Sequence, residues 1–388
     1  MKRFFLPILL GGSLLLSGCA GNPVFGDDSR EIDQLELVET VGIDAAGRLT
    51  TVTASTGTFS GEPVLLKNTA VTVSRAVREM QNFTDRQYIF YGHTAHILIG
   101  EEAARQGLDR FLDYIQRDSE VRLDTKLYIV QDGRAEDMMT AVSSETETAG
   151  ELLESLDRDV QLLSESYVFN CGEVAQMLAK RECALVAAVM LENVDSILNS
   201  DNSTTIQSTG YAVMQGEKLS CFLDTDLSRG VNLLIDRTGS DVVEAPDGAG
   251  GWFAARLVRS SVKYRPVFEN GELKRVKIDV VLHCNLDELQ TPVDIYDDAV
   301  IKTLEEGVSA VEAWRVGEVI RRMQTMNCDF CDLQTRVRQS GAWRFDRMEK
   351  SWEELFPTLE FETSVRTVLD RTYDVGLSPL GEREKEPK

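Results

Sequence analysis

The sequence predicts an α+β fold spread over two or three consecutive domains. Stretches with apolar residues at helical spacing alternate with short β-branched and aromatic runs, which calls for sheets layered with helices. Three hairpin signals punctuate the chain, at Asp44-Ala45-Ala46-Gly47, Gln215-Gly216-Glu217 and Asn270-Gly271. At 388 residues the chain is longer than one compact core usually serves.

The first folded unit is expected over residues 31–195. "LELVETVGIDAAGRLTTVTAS" reads as a hairpin, and "TAVTVSRAVREMQNF" as a helix burying Val73, Ala76, Val77 and Met80. "RQYIFYGHTAHILIG" reads as a strand, followed by one helix from Glu101 with Leu108, Phe111, Leu112 and Ile115 inward, and then the strand "DTKLYIVQDG". An acidic helix, "SETETAGELLESLDRDVQLL", and another near Cys171–Ala179 lead into the apolar run "ALVAAVML". The polar tract "NSDNSTTIQS" opens a middle β-rich domain, 196–248, and "PDGAGG" closes it.

A C-terminal α+β domain is expected over 249–380, before a charged tail at 381–388. Its core is the hairpin around Asn270-Gly271, with Val276, Ile278, Val280 and Leu282 on one face and Lys277, Asp279 and His283 on the other. A long helix from Asp297 to Met326 buries Ile301, Leu304, Val308, Val311 and Ile320. Gly307 and Gly317 inside it each cost about 1 kcal/mol unless close packing requires them. "LEFETSVRTVLD" alternates apolar residues as a half-buried strand does.

The chain opens "MKRFFLPILLGGSLLLSGC": Lys2 and Arg3 precede an apolar run, Phe4–Leu16, shorter than the roughly 20 residues of a membrane-spanning helix. Residues 1–18 read as a signal peptide, and Leu16-Ser17-Gly18-Cys19 resembles the lipobox of bacterial lipoproteins, whose cysteine is thioether-linked to diacylglycerol. Cys19 is therefore the expected lipidation site, and 19–30 the tether. Multiple acyl chains anchor stably where one binds only marginally. The net charge of −23 excludes a nucleic-acid binder and leaves the lipid, not a basic patch, to hold the body at the membrane.

Signatures of chemistry are absent: there is no G-x-S-x-G, no G-x-x-x-x-G-K-[ST] and no H-E-x-x-H. His93 and His96 lie three apart and would point to opposite faces of a strand, so no metal or cofactor is expected. Asp224-Thr225-Asp226 begins like an EF-hand loop but lacks its glycine and its glutamate. Arg117-Asp118 reads as the flank of a helix C-terminus. Cys171, Cys183, Cys221, Cys284, Cys328 and Cys331 are expected as buried small apolar residues in preference to a disulfide framework or zinc site. No catalytic residue is assigned.

Several stretches in order resemble the Ger(x)C family of spore germination lipoproteins, the C subunits of germinant receptors. They are "LELVETVGID" with Gly42, Ile43 and Asp44; "FYGHTAHILIGEEAARQGLDRFLDYIQRDSEVRLDTKLYIVQDGRAEDMM" with Gly92, His93, Gly100, Glu101, Glu102, Ala104, Gly107, Leu108, Arg117 and Asp118; "GYAVMQGEKLSCFLDTDLSRGVNLL"; and "WRFDRMEKSWEELFPTLEFETSVRTVLD". Asp329 in "NCDFCDL" keeps an acid that similar proteins carry after the long helix, whereas "GDDSREID" replaces their Cys-Trp-Asp-like opening. The resemblance implies three small α+β domains in a non-enzymatic subunit, tethered on the outer face of the spore inner membrane beside membrane A and B subunits. It names no small-molecule ligand for this subunit.

A subunit acting by protein contact would need apolar anchors, for which Tyr88, Phe90, Tyr91 and Trp252 are the candidates. The alternatives are a substrate-binding lipoprotein of an importer, which would show two similar lobes around a cleft, and a tethered hydrolase, which would gather carboxylates or a nucleophile and a histidine in one cleft.

Overall fold

The chain's computed structural model describes residues 34–56, 63–83, 88–143, 147–194, 203–346 and 351–371. Cys19, the signal peptide, the tether and the charged tail lie outside the described residues. Along the chain come strands β1 (Leu35–Ala46), β2 (Leu49–Thr56) and β3 (Leu65–Ala70), helix α1 (Val73–Met80), strands β4 (Tyr88–Phe90) and β5 (His96–Gly100), helices α2 (Glu101–Gln106) and α3 (Asp109–Arg117), and strand β6 (Lys126–Val130). Helices α4 (Ala135–Val142), α5 (Ala149–Leu163) and α6 (Cys171–Arg181) lead to strands β7 (Cys183–Val194), β8 (Ser203–Gln215) and β9 (Lys218–Leu223), then helix α7 (Thr225–Ile235). The remainder comprises β10 (Val242–Pro246), β11 (Trp252–Glu269), β12 (Glu272–Leu289), α8 (Asp298–Met326), α9 (Leu333–Phe345), α10 (Trp352–Leu355) and β13 (Glu360–Arg371).

Two sheets result, and the mixed α+β class expected from sequence holds. The first has nine strands in the order β3-β2-β1-β5-β6-β7-β8-β9, with β4 also paired to β1. Its centre, β1-β5-β6-β7, is parallel, and antiparallel strands extend it on both sides. The parallel centre explains the unbroken apolar runs: alternate residues must serve opposite cores. Ile97, Ile99, Leu127 and Ile129 face α1, α2, α3 and α6, whereas Leu98, Tyr128 and Val130 face α4 and α5. Near one end of the sheet the faces divide again, because Cys183, Leu185, Tyr211 and Val213 join a third core shared with the second sheet. Residues 196–248, expected as a middle domain, supply β8 and β9 to the first sheet and β10 to the second.

The second sheet runs β10-β11-β12-β13, antiparallel except for the parallel pair β12-β13, whose crossover consists of α8, α9 and α10. Val276, Ile278, Val280, Leu282, Cys284 and Leu286 alternate inward along β12. The opposite face carries ion pairs such as Arg265–Asp279 and Lys277–Glu362. On α8 the side chains of Leu304, Val308, Val316, Val319, Ile320 and Met323 are buried, each worth about 1.5–3 kcal/mol against exposure. Beyond Arg256, β11 has no strand partner on its β10 side among the described residues; that edge carries Arg259, Lys263, Arg265, Pro266 and backbone bulges.

Local chemistry accounts for three departures from the sequence reading. The helix expected from Glu101 is two helices, because Gly107 adopts φ +135° and the next N–H, of Leu108, is donated to the Glu217 carbonyl at 2.7 Å. Tyr91–His93 form a 3-10 turn that divides the expected strand into β4 and β5. Cys183 and Cys328 are disulfide-paired with Cα atoms 5.9 Å apart, joining the start of β7 to the turn after α8, where the sequence favoured buried small apolar cysteines over a disulfide framework; Cys171, Cys221, Cys284 and Cys331 remain free. Residues 145 apart in the chain meet here because both sheets share one core, a proximity that spacing does not encode.

The glycines give a direct test. A Cβ at Gly230 would lie 2.8 Å from the Arg315 carbonyl oxygen where α7 crosses α8, whereas a Cβ at Gly317 would meet nothing within 4 Å. Urea unfolding should find Gly230→Ala destabilised by about 1–3 kcal/mol and Gly317→Ala stabilised by about 1 kcal/mol. Equal effects would contradict the packing described.

Candidate functional site

Several residues that carry the family resemblance prove to be architectural. Asp44, buried at the end of β1, accepts the N–H groups of Ala135 and Glu136, both at 2.9 Å, and so caps α4. Gly100 must be glycine, because a Cβ there would sit 2.0 Å from that carboxylate. Asp329 does for α9 what Asp44 does for α4, accepting from Leu333 and Gln334 at 2.8 Å each, although burial raises its carboxyl to a pKa of about 6. Asp224 is the N-cap of α7, accepting from Leu227 at 2.9 Å, which explains its acid without calcium.

An ion network centred on the buried pair Arg315–Glu312 ties α7 to α8. Arg315 donates to Glu312 at 2.5 Å and to Asp226 at 2.7 Å, and Arg229 pairs with Asp241 at 2.8 Å. Burial raises the Glu312 carboxyl, and Arg315 opposes that shift. Removing Glu312 or Arg315, the two buried members, leaves an uncompensated charge at a cost of about 3–5 kcal/mol. The sequence reading missed it, yet one signal was present: Glu312 and Arg315 occupy positions on α8 where the apolar stripe should continue.

Polar aromatic side chains gather where α1, α3 and β4 meet. β4 pairs in parallel with the first residues of β1, and the 3-10 turn brings Tyr91 beneath α1 and α3. There a groove of about 380 Å³ is lined by Val77, Arg78, Tyr88, Tyr91 and Tyr114, with Asp118 and Glu120 beside them. Tyr88 donates its hydroxyl to Glu120 at 2.8 Å, and the Tyr91 N–H reaches the other carboxylate oxygen at 3.4 Å. Asp118 accepts the Glu120 N–H at 2.9 Å and the Tyr114 hydroxyl. Tyr91 is only 6% exposed, and its hydroxyl has no hydrogen-bond partner among the described residues. Burial, then the adjacent Glu120 and Asp118, hold the Tyr91 phenol above its ordinary range.

Arg117 and Asp118 act separately: Arg117 pairs with Asp113 at 2.8 Å at the surface, while Asp118 ends α3. Of the expected contact residues, Trp252 is 53% exposed, but Tyr91 is buried because the 3-10 turn directs it inward, and Tyr88 and Phe90 are half-buried. His93 is exposed and His96 buried. Among the described residues no group of three or more His, Cys, Asp or Glu could hold a metal ion.

Two family profiles match consecutive parts of the chain. The profile described as "Spore germination protein N-terminal domain" covers residues 28–190, and that described as "Spore germination B3/ GerAC like, C-terminal" covers residues 209–373. The chain belongs to the Ger(x)C family. Among Ger(x)C relatives, spore germination protein KC of Bacillus subtilis (strain 168) is 20% identical over 96% of both chains. The putative spore germination protein YfkR of the same organism is 21% identical over 92% of both. The crystal structure of the GerBC protein matches 88% of this chain and all of its own, with a TM-score of 0.57 at 17% identity, so the fold is shared. These relatives are named for spore germination and not for a catalysed reaction.

Burial on β5 generates a pH test within this unit. His96 is 4% exposed, its Nδ1 lacks a partner among the described residues, and burial drives its pKa down to about 4. Between the unfolded value near 6.5 and the folded value near 4, the unfolded chain binds the proton and the fold does not. Stability from this group is therefore lost as pH falls through that window. Relative to His96→Gln, the wild type should lose on the order of 3 kcal/mol more between pH 7 and pH 4 in urea unfolding; parallel pH curves would refute the assignment.

Proposed function

We propose that this chain is the lipid-anchored, non-catalytic C subunit of a spore germinant receptor. In this reading Cys19 carries the lipid, and the folded body sits on the outer face of the spore inner membrane. It contacts membrane A and B subunits and is required for the response to nutrients. The observation that carries the reading is the succession of both family profiles along the chain, directly behind a signal segment ending in a lipobox cysteine. No helix among the described residues is long and apolar enough to cross a membrane, and attachment through the lipid on Cys19 is consistent with that. Protein contact is supported by exposed aromatic side chains in the C-terminal half, Trp252 at the start of β11 and Trp314 on α8, 53% and 58% exposed.

Changing Cys19→Ala should move the protein from the detergent phase to the aqueous phase on detergent partitioning of spore membranes. It should also slow germination with at least one nutrient about as much as deleting the gene. Unchanged partitioning would remove the anchor from the reading, and normal germination of the deletion strain with every nutrient tested would remove the receptor role.

A further inference from the structure

We propose that the groove between α1, α3 and β4 binds a small organic ammonium cation, held between the phenol rings of Tyr88, Tyr91 and Tyr114 and the carboxylates of Asp118 and Glu120. The three rings line one recess of about 380 Å³, a size suited to a small molecule. Aromatic faces attract a cation through the ring quadrupole, most strongly where water is displaced. Tyr91 forms the floor and belongs to the same buried core as Val73, Ile97 and Ile115.

The polar groups are set for a donor-rich cation. Tyr88 donates its hydroxyl proton to Glu120 and Tyr114 to Asp118, which holds the two carboxylates in place. The Tyr91 hydroxyl is buried without a partner among the described residues, so the acceptor within reach of an ammonium N–H is the Glu120 carboxylate, while its alkyl carbons rest against the rings and Val77. Among the described residues no group of three or more His, Cys, Asp or Glu could hold a metal ion here, whereas the aromatic rings suit an organic cation. Exposed Arg78 on the rim adds positive charge that disfavours polyamines, so the groove selects a compact monocation.

The test uses the full chain with its nine tyrosine rings carbon-13 labelled. NMR would follow titration with n-propylammonium and tetramethylammonium chlorides, against sodium chloride at matched ionic strength and the neutral tert-butanol. The expected result is saturable movement of three tyrosine signals in the millimolar range with at least one ammonium salt and with neither control. Glu120→Gln should weaken binding about tenfold. Arg78→Glu, a surface change that leaves the fold intact, should tighten it several-fold. Shifts that fail to saturate, that sodium chloride reproduces, or that ignore the charge at position 78 would overturn the site.

Discussion

Everything in this fold depends on a core that two sheets share. Cys183, Leu185, Tyr211 and Val213 from the nine-stranded sheet, Val231 and Leu234 from α7, and the inner faces of α8 and β10–β12 bury one another. Neither sheet can shed this contact without exposing apolar surface from both. Burial alone is non-directional, so orientation has to come from polar groups. The Asp226–Arg315–Glu312 network supplies it, together with the hydrogen bonds from the Tyr211 hydroxyl to Asn232 at 2.6 Å and from the Tyr167 N–H to that hydroxyl at the same distance.

The remaining polar investment follows the same logic at helix ends. Asp44, Asp224, Asp297 and Asp329 each accept backbone N–H groups at the start of a helix, and Asn170 with Glu173 forms a capping box on α6. These four aspartates have structural work as helix caps. Asp44, Asp224 and Asp329 lie in stretches that carry the family resemblance, so at these positions it reports how the fold is built.

Local signals were legible in the sequence. The hairpins at Gly47, Gly216 and Gly271 follow from positive φ angles of 61°, 58° and 85°, which glycine adopts without strain. The inward residues of α1, α3 and β12 follow from period alone. Long-range features were not legible. Nothing in the spacing of Cys183 and Cys328 records that they meet, and the polar tract before Ile206 resembles a linker although its second half belongs to β8. Of the groove, Tyr88, Tyr91 and Asp118 were noticed singly, but the convergence of Tyr114 and Glu120 on them depends on how α3 lies over β4.

The open flank of β11 has a consequence for behaviour in crowded surroundings. A strand of eighteen residues whose outer edge has no strand partner beyond Arg256 among the described residues is a template on which another chain could zip by main-chain hydrogen bonds. Pro266 withholds a donor, charged Arg259, Lys263 and Arg265 line the strand, and the bulges break the repeat that a new strand would need to match. Copies packed side by side would therefore stay separate along this flank. Any lasting association has to use side-chain surfaces, which discriminate between partners in a way that bare backbone cannot.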